Sequence, residues 1–217
     1  MKLPFTVAQF LEAFKNYNHS VFPMQIAFYL LALTIILLSI KKPGQADRII
    51  NAILSFFWLW MGIVYHFLYF APINKAAYLF GGIFILQGLL FFHQGVLKTK
   101  LTYKFQFDKF GWLGALLITF ALFIYPFLGF AFGHLYPASP TFGLPCPTTI
   151  FTFGILMWFD KKISLSILII PFIWSIIGFF AALKLGILED TGLFVSGILG
   201  TIMIASRNKK FTSYNTN

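Results

Sequence analysis

Runs of apolar residues long enough to cross a lipid bilayer recur along almost the whole chain. A helix needs about 20 apolar residues to cross a hydrocarbon core of about 30 Å. We identify seven runs, at residues 21–40, 49–71, 76–97, 111–133, 148–159, 163–183 and 192–206, the last with an alternative start near 187. This pattern predicts an all-α fold, a polytopic membrane bundle of about seven transmembrane helices.

The composition excludes an ordinary water-soluble domain. Apolar residues make up 59% of the 217 residues, and charged residues only 10%. Soluble domains carry about 25% charged residues, whereas a surface that faces acyl chains needs almost none. We therefore expect residues 1–217 to form a single transmembrane domain whose main partner is the lipid bilayer.

The positions of lysine and arginine predict the orientation of the chain. If all seven runs cross, twelve of these residues fall on one side and four on the other. The larger group is Lys41, Lys42, Arg48, Lys98, Lys100, Lys104, Lys109, Lys161, Lys162, Arg207, Lys209 and Lys210, and the smaller is Lys2, Lys15, Lys75 and Lys184. Basic residues stay in the cytoplasm. We therefore expect the N-terminus outside a cell (inner) membrane and residues 207–217 as a cytoplasmic tail.

The same residues bear on the number of crossings and on partners. Omitting the short run at 148–159 changes the split of Lys and Arg between the two sides from twelve and four to nine and seven, which favours seven crossings.

The formal net charge is +10, but the basic residues form no dense patch. We therefore expect no nucleic-acid partner.

Residues 1–18 predict an amphipathic helix that does not cross the membrane. Thr6 and Gln9 have the spacing of a capping box, so the helix should begin near residue 7. Its apolar face comprises Val7, Phe10, Leu11 and Phe14. Two placements remain open: an interfacial helix on the membrane surface, or a helix packed across the mouth of the bundle.

Residues 134–148 differ from the rest of the chain because they contain four prolines and no charged residue. The run that follows is short: a helix of about twelve residues rises only about 18 Å, less than the hydrocarbon core. We predict that this outer segment is re-entrant and leads into a half-helix that begins near Pro147 or Thr148. The alternative is a proline-stiffened surface loop that caps the bundle.

A re-entrant segment predicts an outward-facing polar pocket, because irregular backbone at membrane depth must be covered by protein or line a cavity. The N-terminus of the half-helix would offer backbone N–H groups and a positive dipole end to a small polar or anionic ligand. The candidate ligand-binding residues are Pro145, Cys146, Pro147, Thr148, Thr149, His134, His66, Gln87 and His93.

Ionisable residues inside spans are functional candidates because burying them in lipid is costly. His66, His134 and Asp190 are candidate metal ligands on the outer side, since imidazole and carboxylate suit zinc or copper. No two of them have the i, i+4 spacing of a metal-binding helix, and Cys146 is the only cysteine. We therefore predict no cofactor. The alternative for each histidine is a hydrogen bond to nearby backbone or glutamine.

Two stretches carry a resemblance to a known family. LPFTVAQFLEAFKNYN (residues 3–18) and PTFGLPCPTTIFTFG (residues 140–154) resemble a family of bacterial multi-pass membrane proteins of unknown function. The most specific patterns are LPFT..QF and PTFG.PCPT, and the similarity covers essentially the whole chain. The resemblance implies a membrane location and topology but transfers no catalytic residue.

Three functions remain open. A small transporter or permease-like protein predicts a polar tunnel from the pocket toward His93 and Gln87. A membrane-embedded metal-dependent enzyme predicts that at least three of the outer ionisable residues meet within ligand distance; these are His19, His66, His134, Glu189 and Asp190. A non-catalytic assembly or partner-binding protein predicts neither. An enzyme is the less favoured hypothesis. The absence of a phosphate loop and a nucleophile elbow argues against chemistry of the soluble-enzyme type and leaves a membrane-embedded enzyme open.

Overall fold

The structure, a computed structural model, describes residues 4–214, with side chains through residue 209. Residues 1–3 of the predicted amphipathic segment, which include Lys2, and residues 215–217 of the predicted tail lie outside the described residues. The described residues form eight helices, and the all-α prediction is confirmed. They are α1 (Val7–Val21), α2 (Met24–Lys41), α3 (Ala46–Phe70), α4 (Ala77–Leu97), α5 (Lys109–Ala131), α6 (Pro145–Leu156), α7 (Ser166–Leu185) and α8 (Thr191–Tyr214).

Six helices are long and apolar enough to cross a membrane: α2, α3, α4, α5, α7 and α8 with its preceding turn (Leu188–Lys209). Because six such helices are present, the protein is a multi-pass membrane protein. α8 continues into the segment predicted as a tail, where Arg207 and Asn208 are buried.

α6 is short and lies in the centre of the bundle. Every residue from Pro147 to Leu156 is buried. Gly154 faces α5, and Phe153 packs against Gly200 of α8. Trp58 of α3 donates a hydrogen bond from Nε1 to Thr152 Oγ1 at 3.2 Å. A helix that contacts protein on several sides need not match the thickness of the hydrocarbon core, which explains its length of 12 residues.

α1 begins as the sequence predicts. Gln9 N donates to Thr6 Oγ1 at 3.2 Å and Thr6 N donates to Gln9 Oε1 at 2.8 Å, so the capping box is confirmed. The helix buries one face against α3: Phe14 stacks on Tyr65 and Tyr17 meets it edge-on, with ring centroids 6.1 and 5.6 Å away. This packing agrees with the second placement, a helix across the mouth of the bundle.

The connections between helices gather at two ends. At one end, which we call the basic end, lie the connections 42–45, 98–108 and 157–165. Lys42 Nζ donates to Asp47 Oδ1 at 2.7 Å and to the Tyr103 carbonyl at 2.6 Å. The Lys104 amide donates to the Trp158 carbonyl at 2.6 Å. These contacts join all three connections.

The opposite end, which we call the α1 end, contains α1 and the connections 71–76, 132–144 and 186–187. The Asn18 side chain donates to the Pro137 carbonyl at 2.7 Å. His134 Nδ1 lies 2.9 Å from Glu189 Oε1, which links the connection after α5 to the short turn before α8. The residues that precede α6 therefore lie at the α1 end and those that follow it at the basic end.

Candidate ligand cavity

A cavity of about 620 Å³ lies at the α1 end, between α1, α3, α6 and α7. Four of the predicted site residues line it: the ligand-binding candidates Pro145, Cys146 and Pro147, and the metal-ligand candidate Asp190. Its wall is mainly apolar and includes a group of aromatic residues, which we call the aromatic wall: Phe10, Phe14, Tyr65, Phe70, Phe80 and Trp174. A cavity thus lies beside this segment, and its surface is mainly apolar, whereas the sequence predicted a polar pocket.

Asp190 is the acidic residue of the cavity wall. Its side chain is buried, and Tyr125 Oη donates a hydrogen bond of 2.6 Å to Asp190 Oδ1. The neighbouring Glu189 is also buried, and its Oε1 lies 2.9 Å from His134 Nδ1. Burying a carboxylate is costly unless it is paired. The end of α5 and the loop that follows it supply these two partners, and sequence reasoning missed both pairings.

The first turn of α6 offers few backbone donors to the predicted anion. Pro145 and Pro147 have no backbone N–H, and the Thr148 amide donates to the Leu144 carbonyl at 3.2 Å. Within this turn only Cys146 retains an uncommitted N–H to offer a ligand. The turn therefore offers fewer free N–H groups than we expected, because two of its first four residues are prolines.

The threonines of α6 also differ from the expectation. Thr148 and Thr149 are fully buried, and neither lines the cavity. Thr148 Oγ1 accepts a hydrogen bond of 3.1 Å from the Gly143 amide. Thr148 therefore stabilises the turn before α6 and does not face a ligand.

The segment before α6 lies inside the bundle. Phe142 packs against Tyr29 and Phe57, with ring centroids 5.4 and 5.7 Å away. Gly143 has a φ of +102°, and a Cβ there would lie 2.7 Å from Phe28. Glycine meets both needs, the left-handed backbone and the close approach. The Pro-rich connection is thus anchored between helices and is not confined to the surface.

The three candidate metal ligands do not form one site. His66 is fully buried among aromatic rings, with the Phe84 and Trp174 centroids 4.7 and 5.3 Å away. Neither imidazole nitrogen has a hydrogen-bond partner among the described residues. The same residues contain no group of three or more His, Cys, Asp or Glu side chains able to hold a metal ion. His134 and Asp190 instead pair with separate neighbours.

Gln87 and His93 lie away from the cavity. Gln87 is buried, and its Nε2 donates to the Ile167 carbonyl at 3.1 Å. His93 is exposed near the end of α4. Neither residue lines the cavity, and the polar tunnel toward them stays a prediction.

The aromatic wall is the part of the site that sequence reasoning missed. A weak signal for it exists in α1, where Phe10 and Phe14 share the apolar face. The contribution of Trp174 had no local signal, because it depends on how α7 is rotated against α3.

Comparisons with known proteins place the chain in a family. No curated protein and no solved structure matches it. The sequence model of one family, described as a family of unknown function (DUF6064), matches residues 7–215. Because this match extends over nearly the whole chain, the protein belongs to the DUF6064 family.

Proposed function

We propose that the protein binds an amphipathic small molecule in the cavity at the α1 end and acts as a small permease-like protein for it. The observation that carries the proposal is a cavity of about 620 Å³ with an aromatic wall and a buried carboxyl group. Small-molecule sites typically have volumes of about 300–1,000 Å³ and combine apolar walls with a few polar groups. The cavity agrees with both criteria.

The wall chemistry favours a ligand with a cationic or hydrogen-bond-donating end. In its ionised form the buried Asp190 repels an anion and attracts a cation, and aromatic faces such as those of Trp174 and Tyr65 also attract cations. Lys184, the basic residue of the lining, is exposed. The single uncommitted N–H of the α6 turn gives an anion little compensation. We therefore replace the small polar or anionic ligand expected from the sequence with a hydrophobic cation or amine.

The local backbone supports a site in this position. Residues 61–70 of α3, which include the wall residues Tyr65 and Phe70, form a π-helical segment. π-helical turns occur frequently at functional sites, and the chain also has π-helical segments at residues 92–97 and 120–124, away from the cavity. The cavity is thus bordered by a helix segment whose hydrogen-bonding pattern departs from that of a regular α-helix.

We also propose seven crossings, an outer N-terminus and a re-entrant segment at residues 134–148. Contacts at the basic end join the connections that contain Lys42, Lys104 and Lys161, which agrees with a cytoplasmic location. α6 passes between the two ends in the centre of the bundle. In this orientation the cavity opens toward the outside.

The proposal is tested with two ions of the same shape and opposite charge, tetraphenylphosphonium and tetraphenylborate. We expect the purified protein to bind the cation at least tenfold more tightly, and Asp190→Asn to remove that preference. Glu12→Gln, which changes an exposed acid of α1, is the matched control and should change nothing. Equal binding of the two ions by the wild-type protein would contradict the ligand class.

A second variant separates loss of the site from loss of the fold. Ala181 lines the cavity and is half-buried, so Ala181→Phe should fill the cavity and weaken binding of both ions while the protein remains folded. Uptake of the cation by vesicles containing the protein then tests the permease activity. If the protein binds the cation but vesicles containing it take up none, the protein is a binding protein and the proposed permease activity is refuted.

A further inference from the structure

We propose that a groove between α2 and α5 binds one acyl chain of an anionic phospholipid whose headgroup is held by Lys41 and Lys104. The groove is separate from the ligand cavity. It has a volume of about 490 Å³ and no lining residue in common with that cavity.

The shape of the groove suits an acyl chain. Its lining includes Leu33, Ile36 and Ile40 of α2 and Ala115 and Leu122 of α5. On α2 the lining extends from residue 29 to residue 40, which corresponds to about 16 Å of helix. This length is close to half of a hydrocarbon core of about 30 Å, the depth that one leaflet provides.

The groove ends at the basic end of the bundle. Phe105 and Trp158 line it there, and the Phe105 amide donates to the Ser39 carbonyl at 3.1 Å. This bond places Lys104, the neighbour of Phe105, beside the last turn of α2, which contains Lys41. Both lysine residues are exposed. The two lysine residues therefore belong to the end of the groove at which the headgroup of a bound lipid would lie.

The acidic residues near these lysines have other partners. Asp47 accepts from Lys42 at 2.7 Å, and Asp160 accepts from Thr102. Asp108 caps α5 by accepting from the Gly111 amide at 2.8 Å. Among the described residues, the ion pairs at this end involve Lys42 and neither Lys41 nor Lys104. Their charge is thus available to a phosphate group.

Exposed aromatic residues near the two lysines indicate how deep this end of the groove lies in the membrane. Phe107 is 86% exposed and Trp112 is 61% exposed. They form a cluster with Phe105, whose ring centroid lies 5.1 Å from that of Phe107 and 6.0 Å from that of Trp112. Tryptophan is enriched at the headgroup level of membranes. The two lysines next to this cluster are therefore at the level of lipid phosphates.

Selectivity must come from the headgroup. An acyl chain gains little by leaving its lipid neighbours for an apolar groove, because both surroundings are apolar. A basic residue near an anionic surface contributes about a fivefold change in binding. The groove should therefore retain anionic lipids in preference to zwitterionic lipids with the same chains.

The test is lipid retention by the purified protein. We would place the protein in nanodiscs of equal amounts of phosphatidylglycerol and phosphatidylcholine, extract it, and count retained lipids by native mass spectrometry. The wild-type protein should retain mainly phosphatidylglycerol. Lys41→Gln combined with Lys104→Gln should lower the ratio of the two lipids at least fivefold.

Two controls make the result specific to the groove. Lys161→Gln with Lys162→Gln removes the same charge from exposed residues of the same end and should leave the ratio unchanged. Thr119 is exposed and lines the groove, so Thr119→Phe should reduce retention of both lipids. An equal drop in the ratio for both lysine pairs would overturn the proposal, as would full retention in Thr119→Phe.

Discussion

The side chain of Asn18 connects α1 to the Pro-rich segment. It is fully buried, and its Nδ2 donates to the Pro137 and Ser139 carbonyls at 2.7 and 2.9 Å. Its Oδ1 accepts from Thr141 Oγ1 at 2.7 Å. One side chain thus satisfies three polar groups of a segment that forms neither helix nor sheet. This role could not be predicted, because its partners are more than 100 residues away and nothing near Asn18 in the sequence identifies them.

We predict that Asn18→Ala destabilises the protein by about 2–4 kcal/mol, because each buried polar group left without a partner costs about 1–3 kcal/mol. The measurement is thermal unfolding of the purified protein in detergent. Asn16→Ala, which changes an exposed residue of the same helix, should leave the melting temperature nearly unchanged. Similar shifts for the two variants would show that the side chain of Asn18 does not stabilise the loop.

At the scale of single helices, glycine residues set how closely α5 and α6 approach each other. A Cβ on Gly154 would lie 2.7 Å from Ile118 Cγ1 and 2.9 Å from the Gly114 carbonyl oxygen. α5 and α6 therefore approach through two glycines, which lets their backbones come close. The apolar run predicted α6 as a helix, but the partner of Gly154 depends on the rotation of α5, which sequence periodicity leaves open.

We predict that Gly154→Ala destabilises the protein by about 1–3 kcal/mol, the usual cost of overpacking a core. Gly82→Ala is the matched control, because a Cβ at Gly82 of α4 would have no atom within 4 Å. The control should be neutral or slightly stabilising, since alanine favours a helix more than glycine does. Thermal unfolding in detergent checks both variants, and an unchanged melting temperature for Gly154→Ala would refute the close contact.

At the scale of the whole molecule, the central question is which helices cross the membrane. The chain has a single cysteine, so Cys146→Ser provides a background for labelling newly introduced cysteines. Gly44, with no atom within 4 Å of a Cβ, and the exposed Lys75 and Lys161 are suitable positions. They lie in the connections after α2, α3 and α6.

With seven crossings, a membrane-impermeant thiol reagent should label Lys75→Cys in intact cells. It should label Gly44→Cys and Lys161→Cys only after permeabilisation. Along the chain, residues 44 and 161 are separated by four helices, α3, α4, α5 and α6. With α3, α4 and α5 crossing the membrane, the two residues lie on the same side only if α6 crosses it as well. If α6 did not cross, residue 161 would be labelled from the same side as residue 75, and the proposed topology would be wrong.

The sequence by itself determined that most of this protein is surrounded by lipid. It also determined where the helices lie along the chain and where α1 begins. These properties are sums over neighbouring residues: twenty apolar side chains in a row favour lipid, and the capping box at Thr6 and Gln9 needs only residues three apart. The same local reasoning placed Pro145, Cys146 and Pro147 beside a cavity.

Only the tertiary structure decided which residues line that cavity. Asp190 meets Tyr125 across 65 residues of chain, and Trp174 joins the aromatic wall through the packing of α7. Such contacts depend on how each helix is rotated and where it crosses its neighbours. In a chain with apolar residues on nearly all helix faces, the sequence pattern barely distinguishes one rotation from another, so packing alone selects the residues that face the cavity.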